Sequence, residues 1–310
     1  MAKTITLMES TRDDHRSIAD QLLTKLLPFT GKSLRIGLSG VPGVGKSTLI
    51  ENLGLWLIKQ GHKVAVLAID PSSNVSGGSI LGDKTRMEIL SNHPSAFIRP
   101  SPSSGNLGGV AEKTRECILV CEAAGFDIVI VETVGVGQSE TTVAGMTDMF
   151  VLMQLPNAGD DLQAIKKGIM EIADLILINK ADLDDQAALQ AESFISSALH
   201  LFRGRNSSAS DGAQWQPKVL RVSALNGQGV EALWSEVSHF KQTQEGNGQW
   251  QNRRQAQSRM WMQELIQSGL KRYFHQNPQV ALLLPQLEQE VLSGKIAAST
   301  AARQLLALWS

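Results

Sequence analysis

Six short apolar runs alternate along the chain with stretches whose apolar residues recur at helical spacing. Most of these runs are continuous rather than alternating between apolar and polar residues, which is typical of strands covered on both faces. The repeated strand–helix order predicts an α/β fold with a mainly parallel central sheet and helices on both faces. The predicted strands are 34–39, 64–69, 127–132, 149–154, 175–179 and 219–222.

The two ends of the chain carry helical patterns without strands. Near the N-terminus, apolar residues recur at helical spacing and the pattern ends at Pro28. Near the C-terminus, several apolar helical segments follow one another with a break near Pro278, and they are too apolar to form a solvated extension. The sequence therefore predicts three parts, which are an N-terminal helical segment (1–32), an α/β domain (33–245) and a C-terminal helical arm (246–310).

Composition narrows the class of protein. The 310 residues carry a formal net charge of -1, which argues against a nucleic-acid-binding protein with its usual basic surplus. No stretch is long and apolar enough to cross a bilayer, so no membrane contact is expected. The N-terminus lacks an apolar region followed by a small-residue cleavage site, and a cytoplasmic location is therefore expected.

The chain contains two cysteines, Cys117 and Cys121, which are four residues apart. On a helix this spacing could direct both thiols toward one metal ion, but no further Cys or His lies nearby in the sequence. We interpret them as small apolar residues on the inner face of a helix.

A glycine-rich segment between the first predicted strand and the next helix fits the pattern G-x-x-x-x-G-K-[ST] at every fixed position. Glycines let backbone N–H groups turn inward around a phosphate, while the lysine adds a positive charge and the serine offers a hydroxyl to Mg²⁺. The helix N-terminus also favours negative charge. The pattern is that of a P-loop and predicts a nucleoside triphosphate site formed by Gly40, Val41, Pro42, Gly43, Val44, Gly45, Lys46, Ser47 and Thr48.

An N-K-x-D motif after the fifth predicted strand favours guanine over adenine. The Asp182 carboxylate can accept hydrogen bonds from the ring N–H and the exocyclic amine of guanine. Adenine offers neither donor there, so a buried carboxylate would be left unpaired. The stem of Lys180 is expected to cover the base, and Asn179 to tie this loop to the P-loop.

A second short motif, Ser223, Ala224 and Leu225, follows the last predicted strand and matches an S-A-[KL] element whose backbone N–H reaches the guanine carbonyl oxygen. Each motif alone could be a turn or a helix cap. Together they follow predicted strands at the sheet edge where ligands bind in α/β folds. GTP and GDP are therefore the expected substrate and product.

Acidic residues after two predicted strands are candidate Mg²⁺ ligands together with Ser47. Glu132 stands where most GTPases carry the aspartate of Asp-x-x-Gly, although it could also be a solvated carboxylate, and Gly135 occupies the glycine position. Asp70 and Asp83 are the other candidates, and Asp83 could instead cap a helix. Since Mg²⁺ takes few direct carboxylates, at least one of the three acids is expected to act through a water.

Several motifs together resemble the MeaB/ArgK GTPases, a branch of the SIMIBI class of P-loop proteins. The resemblance covers nearly the whole chain, and the run Glu-Thr-Val-Gly-Val-Gly-Gln is its most specific part. The motifs that carry it lie at 40–48, 70–73, 82–87, 132–140 and 179–182.

The resemblance implies a GTPase chaperone that gates cofactor loading of an adenosylcobalamin-dependent acyl-CoA mutase, typically methylmalonyl-CoA mutase, and protects it from inactivation. It also implies a homodimer whose C-terminal helices form a dimerisation arm. Within the additional switch at 160–168, Lys166 would couple nucleotide state to the partner, although it could be a merely solvated lysine. No cobalamin is expected to bind here directly, because the nearest match to Asp-x-His-x-x-Gly, at 13–18, lacks the glycine.

The expected reaction is hydrolysis of GTP by in-line attack of water, with slow intrinsic turnover because no residue is an obvious arginine finger. One alternative is a GTPase metallochaperone, which usually carries a His-rich tract that this sequence lacks. Another is a transport-associated kinase or ATPase, for which no acceptor site is evident. The candidate catalytic residues are Lys46, Asp83, Glu132 and Lys166.

Overall fold

The computed structural model describes residues 1–10, 12–70, 87–102, 107–133, 139–156, 167–203 and 215–308. Contacts between Cα atoms divide the chain into two compact units, Met1–Gln257 and Ser258–Ser310. No helix in these described segments combines the length and the apolar character needed to span a membrane.

The helices and strands follow one another in the order that the hydrophobic pattern indicates. From the N-terminus they are α1 (Ala2–Glu9), α2 (Asp13–Leu26), a 3-10 turn (Leu27–Phe29), β1 (Leu34–Gly40), α3 (Lys46–Lys59), β2 (Val64–Asp70), α4 (Glu88–Ser91), β3 (Ala96–Pro102), α5 (Leu107–Ala123) and β4 (Ile128–Thr133). They continue with α6 (Ser139–Ala144), β5 (Met149–Gln154), α7 (Lys167–Ile172), β6 (Leu175–Ile178), α8 (Asp185–Arg203), β7 (Lys218–Arg221), α9 (Val230–Gly246), α10 (Gln249–Gln276), α11 (Pro278–Leu292) and α12 (Ala298–Ala307).

The seven strands described form one sheet in the order β3-β2-β4-β1-β5-β6-β7, and every neighbouring pair is parallel. Leu38 of β1 lies between Glu132 of β4 and Val151 of β5. The predicted α/β fold is thus confirmed, and the six predicted strands agree with the observed ones to within one residue at each end.

The hydrophobic pattern does not predict β3. Arg99, Pro100 and Pro102 interrupt its apolar run. In the described sheet β3 is an edge strand that pairs with β2 alone. Proline is tolerated there because an edge strand needs hydrogen-bond donors on one side only.

Both faces of the sheet are covered by apolar side chains. In β4, Ile128 and Ile130 belong to one buried cluster, while Val129 and Val131 belong to another. Helices α3 and α9 contribute to the first cluster, and α5 and α8 to the second. Successive side chains of a strand point to opposite faces, so the continuous apolar runs follow from this double coverage.

The N-terminal helices belong to the same compact unit as the sheet. Ile5 and Met8 of α1 and Ala19 of α2 are fully buried in the cluster that also contains residues of α5. The predicted helical pattern is confirmed as two helices, and Pro28 lies in the 3-10 turn that ends it.

The second unit contains a helical pair. Val280 and Leu287 of α11 pack with Ala301 and Leu305 of α12. The predicted break near Pro278 is confirmed, since the Asn277 side chain caps the start of α11. The boundary between the two units falls within α10, whereas the sequence pattern places the start of a C-terminal arm at residue 246.

Candidate nucleotide site

The candidate site is assembled at the carboxyl ends of the strands. Gly40 ends β1, Glu132 lies near the end of β4, Asn179 follows β6 and Ser223 follows β7. Because all the strands are parallel, these ends meet at one edge of the sheet, where α/β folds bind their ligands. The sequence motifs therefore converge at one place.

Glycine conformation shapes the P-loop. Gly45, with φ +98°, caps the start of α3, and its missing side chain leaves room for Asn179, whose Nδ2 would lie 2.5 Å from a Cβ at that position. A Cβ on Gly40, with φ +154°, would lie 2.5 Å from the carbonyl oxygen of Met153. The loop can therefore adopt this path only with glycine at both positions.

Lys46 is the first residue of α3 and is 7% exposed. Its Nζ donates to the carbonyl oxygens of Gly40 at 2.7 Å and Val41 at 3.3 Å. The ammonium group thus lies against the P-loop backbone, where the positive end of the α3 dipole also favours an anion.

Ser47 and Glu132 bring two hard oxygen donors together beside the P-loop. The Ser47 hydroxyl donates to Oε1 of Glu132 at 3.3 Å, and Glu132 is 6% exposed. Behind them, the hydroxyl groups of Ser39 and Thr133 lie 2.8 Å apart. Hydroxyl and carboxylate oxygens are the ligands that Mg²⁺ prefers, so these two residues fit a magnesium ion.

Asn179 connects three loops. Its side chain is buried, and its Nδ2 donates to the carbonyl oxygen of Val44 at 2.7 Å. Its Oδ1 accepts from the backbone N–H of Ala224 at 2.8 Å. The predicted tie between the N-K-x-D loop and the P-loop is therefore present, and a second tie reaches the loop after β7.

The remaining N-K-x-D residues lie at the surface. Lys180 has φ +62° and is the one non-glycine residue with positive φ in the part of the chain that the structure describes. Asp182 is exposed, and its Oδ2 accepts from Nδ2 of Asn226 at 3.2 Å. The carboxylate is accordingly held at the mouth of the site beside the loop after β7.

The loop after β7 closes on itself. Ser223 pairs with Gln228 in an antiparallel bridge, with its N–H donating to the Gln228 carbonyl at 2.9 Å. Ser223 and Ala224 are buried, whereas Leu225 is 77% exposed. The loop is therefore anchored on its inner side and presents Leu225 outward.

Sequence reasoning missed two asparagines at this site. Asn52 of α3 donates from Nδ2 to the carbonyl oxygen of Ala224 at 2.6 Å, and Asn226 contacts Asp182. Asn226 directly follows the S-A-L element, which is a signal that could have indicated it. Asn52 lies outside every motif, and only the fold brings it to Ala224.

Other predicted site residues lie outside the described residues. These are Asp83, Gly135 and Lys166. The backbone of Asp70 at the end of β2 is described, but its side chain is not. Their predicted roles in binding Mg²⁺, the γ-phosphate and the partner signal stay predictions.

The two cysteines lie away from this site. Cys117 and Cys121 of α5 are fully buried in the apolar cluster between α5 and the sheet, which confirms the expected inner face of a helix. Burial raises the pKa of both thiols, to about 12 for Cys121. Both therefore stay protonated near neutral pH.

Comparison with known proteins identifies relatives over nearly the whole length. Residues 1–279 match the family described as methylmalonyl Co-A mutase-associated GTPase MeaB. A putative GTPase of Caulobacter vibrioides is 52% identical over 307 residues, which cover 99% of this chain and 92% of that protein. The methylmalonic aciduria type A homolog, mitochondrial, of Mus musculus is 46% identical over 319 residues, covering 99% of this chain and 75% of that protein.

A solved structure agrees with these relatives. The crystal structure of a LAO/AO transport system kinase matches with a TM-score of 0.77 and 39% sequence identity, covering 99% of this chain and 91% of that one. The resemblance carried by the sequence motifs is confirmed by the family match and by the relatives named as GTPases. The chain belongs to the MeaB family of GTPases and is a GTP hydrolase.

Proposed function

We propose that this GTPase is a chaperone of an adenosylcobalamin-dependent methylmalonyl-CoA mutase, and that it gates cofactor loading and protects the mutase from inactivation. The observation that carries the proposal is the match of residues 1–279 to the mutase-associated GTPase family. The 46% identity to the mouse methylmalonic aciduria type A homolog supports the same client. Cobalamin itself is held by the mutase in this proposal.

The hydrolytic step converts GTP and water into GDP and phosphate by in-line attack on the γ-phosphorus. Lys46 and the P-loop amides bind the phosphate oxygens. The contact of Lys46 Nζ with the Gly40 carbonyl places the ammonium group at the P-loop backbone, where the phosphates would lie. Ser47 and Glu132 would hold Mg²⁺, which would supply positive charge to the phosphate oxygens. Asp83 is assigned to orient the attacking water or a metal-bound one.

Guanine is recognised by the carboxylate of Asp182, which Asn226 orients, while the stem of Lys180 covers the base. Replacing Asp182 with Asn exchanges two acceptor oxygens for one oxygen and one amide donor, which suits the second carbonyl of xanthine. The Asp182→Asn variant should shift nucleotide preference from GTP toward xanthosine triphosphate, measured by competition binding. Unchanged GTP preference would refute the guanine assignment.

The segment around Lys166 is assigned to couple the nucleotide state to the mutase. The C-terminal arm is assigned to form the homodimer. The apolar side chains Met262, Ile266 and Tyr273 of α10 are more than half exposed, which supports a role in association between copies. Sedimentation at increasing protein concentration tests the dimer, and a monomer at every concentration would contradict it.

The client is tested by a binding experiment with purified adenosylcobalamin-dependent methylmalonyl-CoA mutase. The protein is loaded with GDP or with a non-hydrolysable GTP analogue and run with the mutase on a sizing column. We expect a complex whose stability differs between the two nucleotides. If no complex forms with either nucleotide, the proposed client is wrong.

A second candidate function is a kinase linked to amino-acid transport, which the name of the 39% identical solved structure favours. A kinase transfers the γ-phosphate to an acceptor hydroxyl rather than to water. Incubation with labelled GTP or ATP and periplasmic amino-acid-binding proteins distinguishes the two functions. Label on the binding protein would favour the kinase, and release of free phosphate alone favours the GTPase chaperone.

A further inference from the structure

The peptide group between Ala224 and Leu225 is attached to the helix that carries the P-loop. Nδ2 of Asn52 donates to the carbonyl oxygen of Ala224 at 2.6 Å. Asn52 lies on α3, the helix that begins at Lys46. The same Nδ2 is 3.4 Å from the carbonyl oxygen of Thr48, which restrains the side chain on its own helix. The phosphate end and the base end of the site are thereby joined by one side chain.

Because the peptide bond is planar, the contact with Asn52 also orients the Leu225 N–H. The Ala224 carbonyl and the Leu225 N–H belong to one rigid planar unit and point in opposite directions. A donor that fixes the carbonyl therefore also fixes the direction of the Leu225 N–H. The preceding peptide is held independently, because the Ala224 N–H donates to Oδ1 of Asn179 at 2.8 Å.

Other contacts within the loop also restrict rotation of the Ala224–Leu225 peptide. The Ser223–Gln228 bridge closes the loop, and the N–H of Asn226 approaches the Ser223 hydroxyl at 3.4 Å. Ala224 is 2% exposed, whereas the neighbouring Leu225 is 77% exposed. The Ala224 carbonyl accepts from Asn52 on the α3 side, so the Leu225 N–H points away from α3.

We propose that Asn52 is a positioning residue for guanine recognition, which orients the Ala224–Leu225 peptide so that the Leu225 N–H faces the 6-oxo group of the base. The proposal rests on the guanine assignment of this loop made above. Asn52 acts through the peptide and does not itself touch the nucleotide. Its effect should therefore depend on whether the base carries a 6-oxo group.

The test measures dissociation constants of the full-length protein for GDP, IDP and 2-aminopurine riboside diphosphate. GDP and IDP both carry the 6-oxo group, and the aminopurine nucleotide lacks it. In Asn52→Leu, affinity for GDP and IDP should fall about threefold to tenfold, as expected for losing one oriented hydrogen bond, while affinity for the aminopurine nucleotide stays unchanged. Asn92→Leu, at an exposed asparagine of similar size, should leave all three constants unchanged.

A second variant, Asn52→Asp, keeps the shape of the side chain but places a carboxylate against the Ala224 carbonyl. This variant provides the test if Asn52→Leu does not fold. It should show the same base-dependent pattern with a larger loss. An equal loss for all three nucleotides in the folded variants would mean a structural role, and unchanged GDP and IDP affinity would mean none. Either result overturns the proposal.

The mutase is absent from this assay, so failure of the chaperone role leaves its outcome unaffected. The wild-type protein should bind GDP more tightly than the aminopurine nucleotide. Without that preference, the guanine assignment and the role of Asn52 both fall. If the ratio of GDP affinity to aminopurine-nucleotide affinity is as large in both Asn52 variants as in the wild type, only the role of Asn52 falls.

Discussion

The side chain of Asn179 donates to the carbonyl oxygen of Val44 at 2.7 Å and so joins the N-K-x-D loop to the P-loop. Its other end accepts from the N–H of Ala224 at 2.8 Å, and the residue is 1% exposed. One buried amide therefore holds three loops of the candidate site in register. Removing it leaves two buried backbone groups without their partner.

Asn179→Ala should accordingly lower both stability and nucleotide affinity. Each unsatisfied buried group costs about 1–3 kcal/mol, so the free energy of unfolding should fall by roughly 2–6 kcal/mol for the two groups together. Urea unfolding without nucleotide and GDP binding measure the two effects. Asn92→Ala removes one exposed hydrogen bond, to the Glu88 carbonyl, and is the control: it should cost at most about 1 kcal/mol of stability and leave GDP binding unchanged. A variant as stable as the wild type would show that the loops are held by other contacts.

Two P-loop glycines offer a matched test of this contact. Gly43 and Gly45 both have positive φ, at +77° and +98°, so alanine introduces backbone strain at either position. A Cβ at Gly43 meets nothing within 4 Å, whereas a Cβ at Gly45 would lie 2.5 Å from Nδ2 of Asn179.

Gly45→Ala should therefore destabilise the nucleotide-free protein more than Gly43→Ala, by about 1–3 kcal/mol for the displaced amide. Urea unfolding without nucleotide measures the difference and avoids any clash of the new methyl group with a phosphate. Equal destabilisation would indicate that the Asn179 side chain moves aside at no cost.

The placement of the candidate-site residues that the structure describes could largely be predicted from the sequence, because they are concentrated in short motifs at strand ends. The continuous apolar runs locate six strands, and parallel order then brings Lys46, Asn179 and Ser223 to one edge. The strand β3 is missed because its pairing with β2, rather than its apolar content, defines it. Asn52 is missed because a contact across 172 residues leaves no local pattern.

Metal dependence provides a prediction for Ser47 and Glu132. Their oxygen atoms lie 3.3 Å apart beside the P-loop, and a carboxylate attracts a divalent cation more strongly than an amide does. Glu132→Gln should therefore raise the Mg²⁺ concentration needed for half-maximal GTP hydrolysis, by roughly tenfold or more if about 1.4 kcal/mol of ligand interaction is lost. Glu231→Gln, at an exposed position of α9, is the control. An unchanged Mg²⁺ requirement in Glu132→Gln would remove Glu132 from the metal site.

Two glutamates of α5 have pKa values displaced in opposite directions. Burial alone would raise the pKa of Glu122, but two hydrogen bonds from Arg35 at 2.8 and 2.9 Å, with bonds from Ser33 and Gly31, hold it below its ordinary value. Burial raises the pKa of Glu116, and the hydrogen bonds and charge of Arg16 offset this only in part.

The two displaced pKa values make the stability of the fold depend on pH in opposite directions. A lowered pKa in the folded state means that the Glu122 carboxylate stabilises the fold above its ordinary pKa, and that this contribution is lost as pH falls through the lowered value. A raised pKa means that the contribution of Glu116 is present below the ordinary pKa and is lost as pH rises through the raised value. The two residues thus act on opposite sides of the ordinary glutamate pKa.

Urea unfolding between about pH 3 and about pH 7 tests this pair. Relative to wild type, Glu122→Gln should lose least stability at the acid end, and Glu116→Gln should lose least at the neutral end. If both α5 variants shift the curve by a constant amount, the opposite displacement of the two pKa values is wrong.

We propose that this GTPase signals its nucleotide state to an adenosylcobalamin-dependent methylmalonyl-CoA mutase. The most direct measurement is the steady-state rate of GTP hydrolysis with increasing purified mutase, for the wild type and for Lys46→Ala. We predict slow hydrolysis by the wild type alone, a saturable rise with mutase, and no hydrolysis by Lys46→Ala in either case. Equal wild-type rates with and without the mutase would contradict the claim.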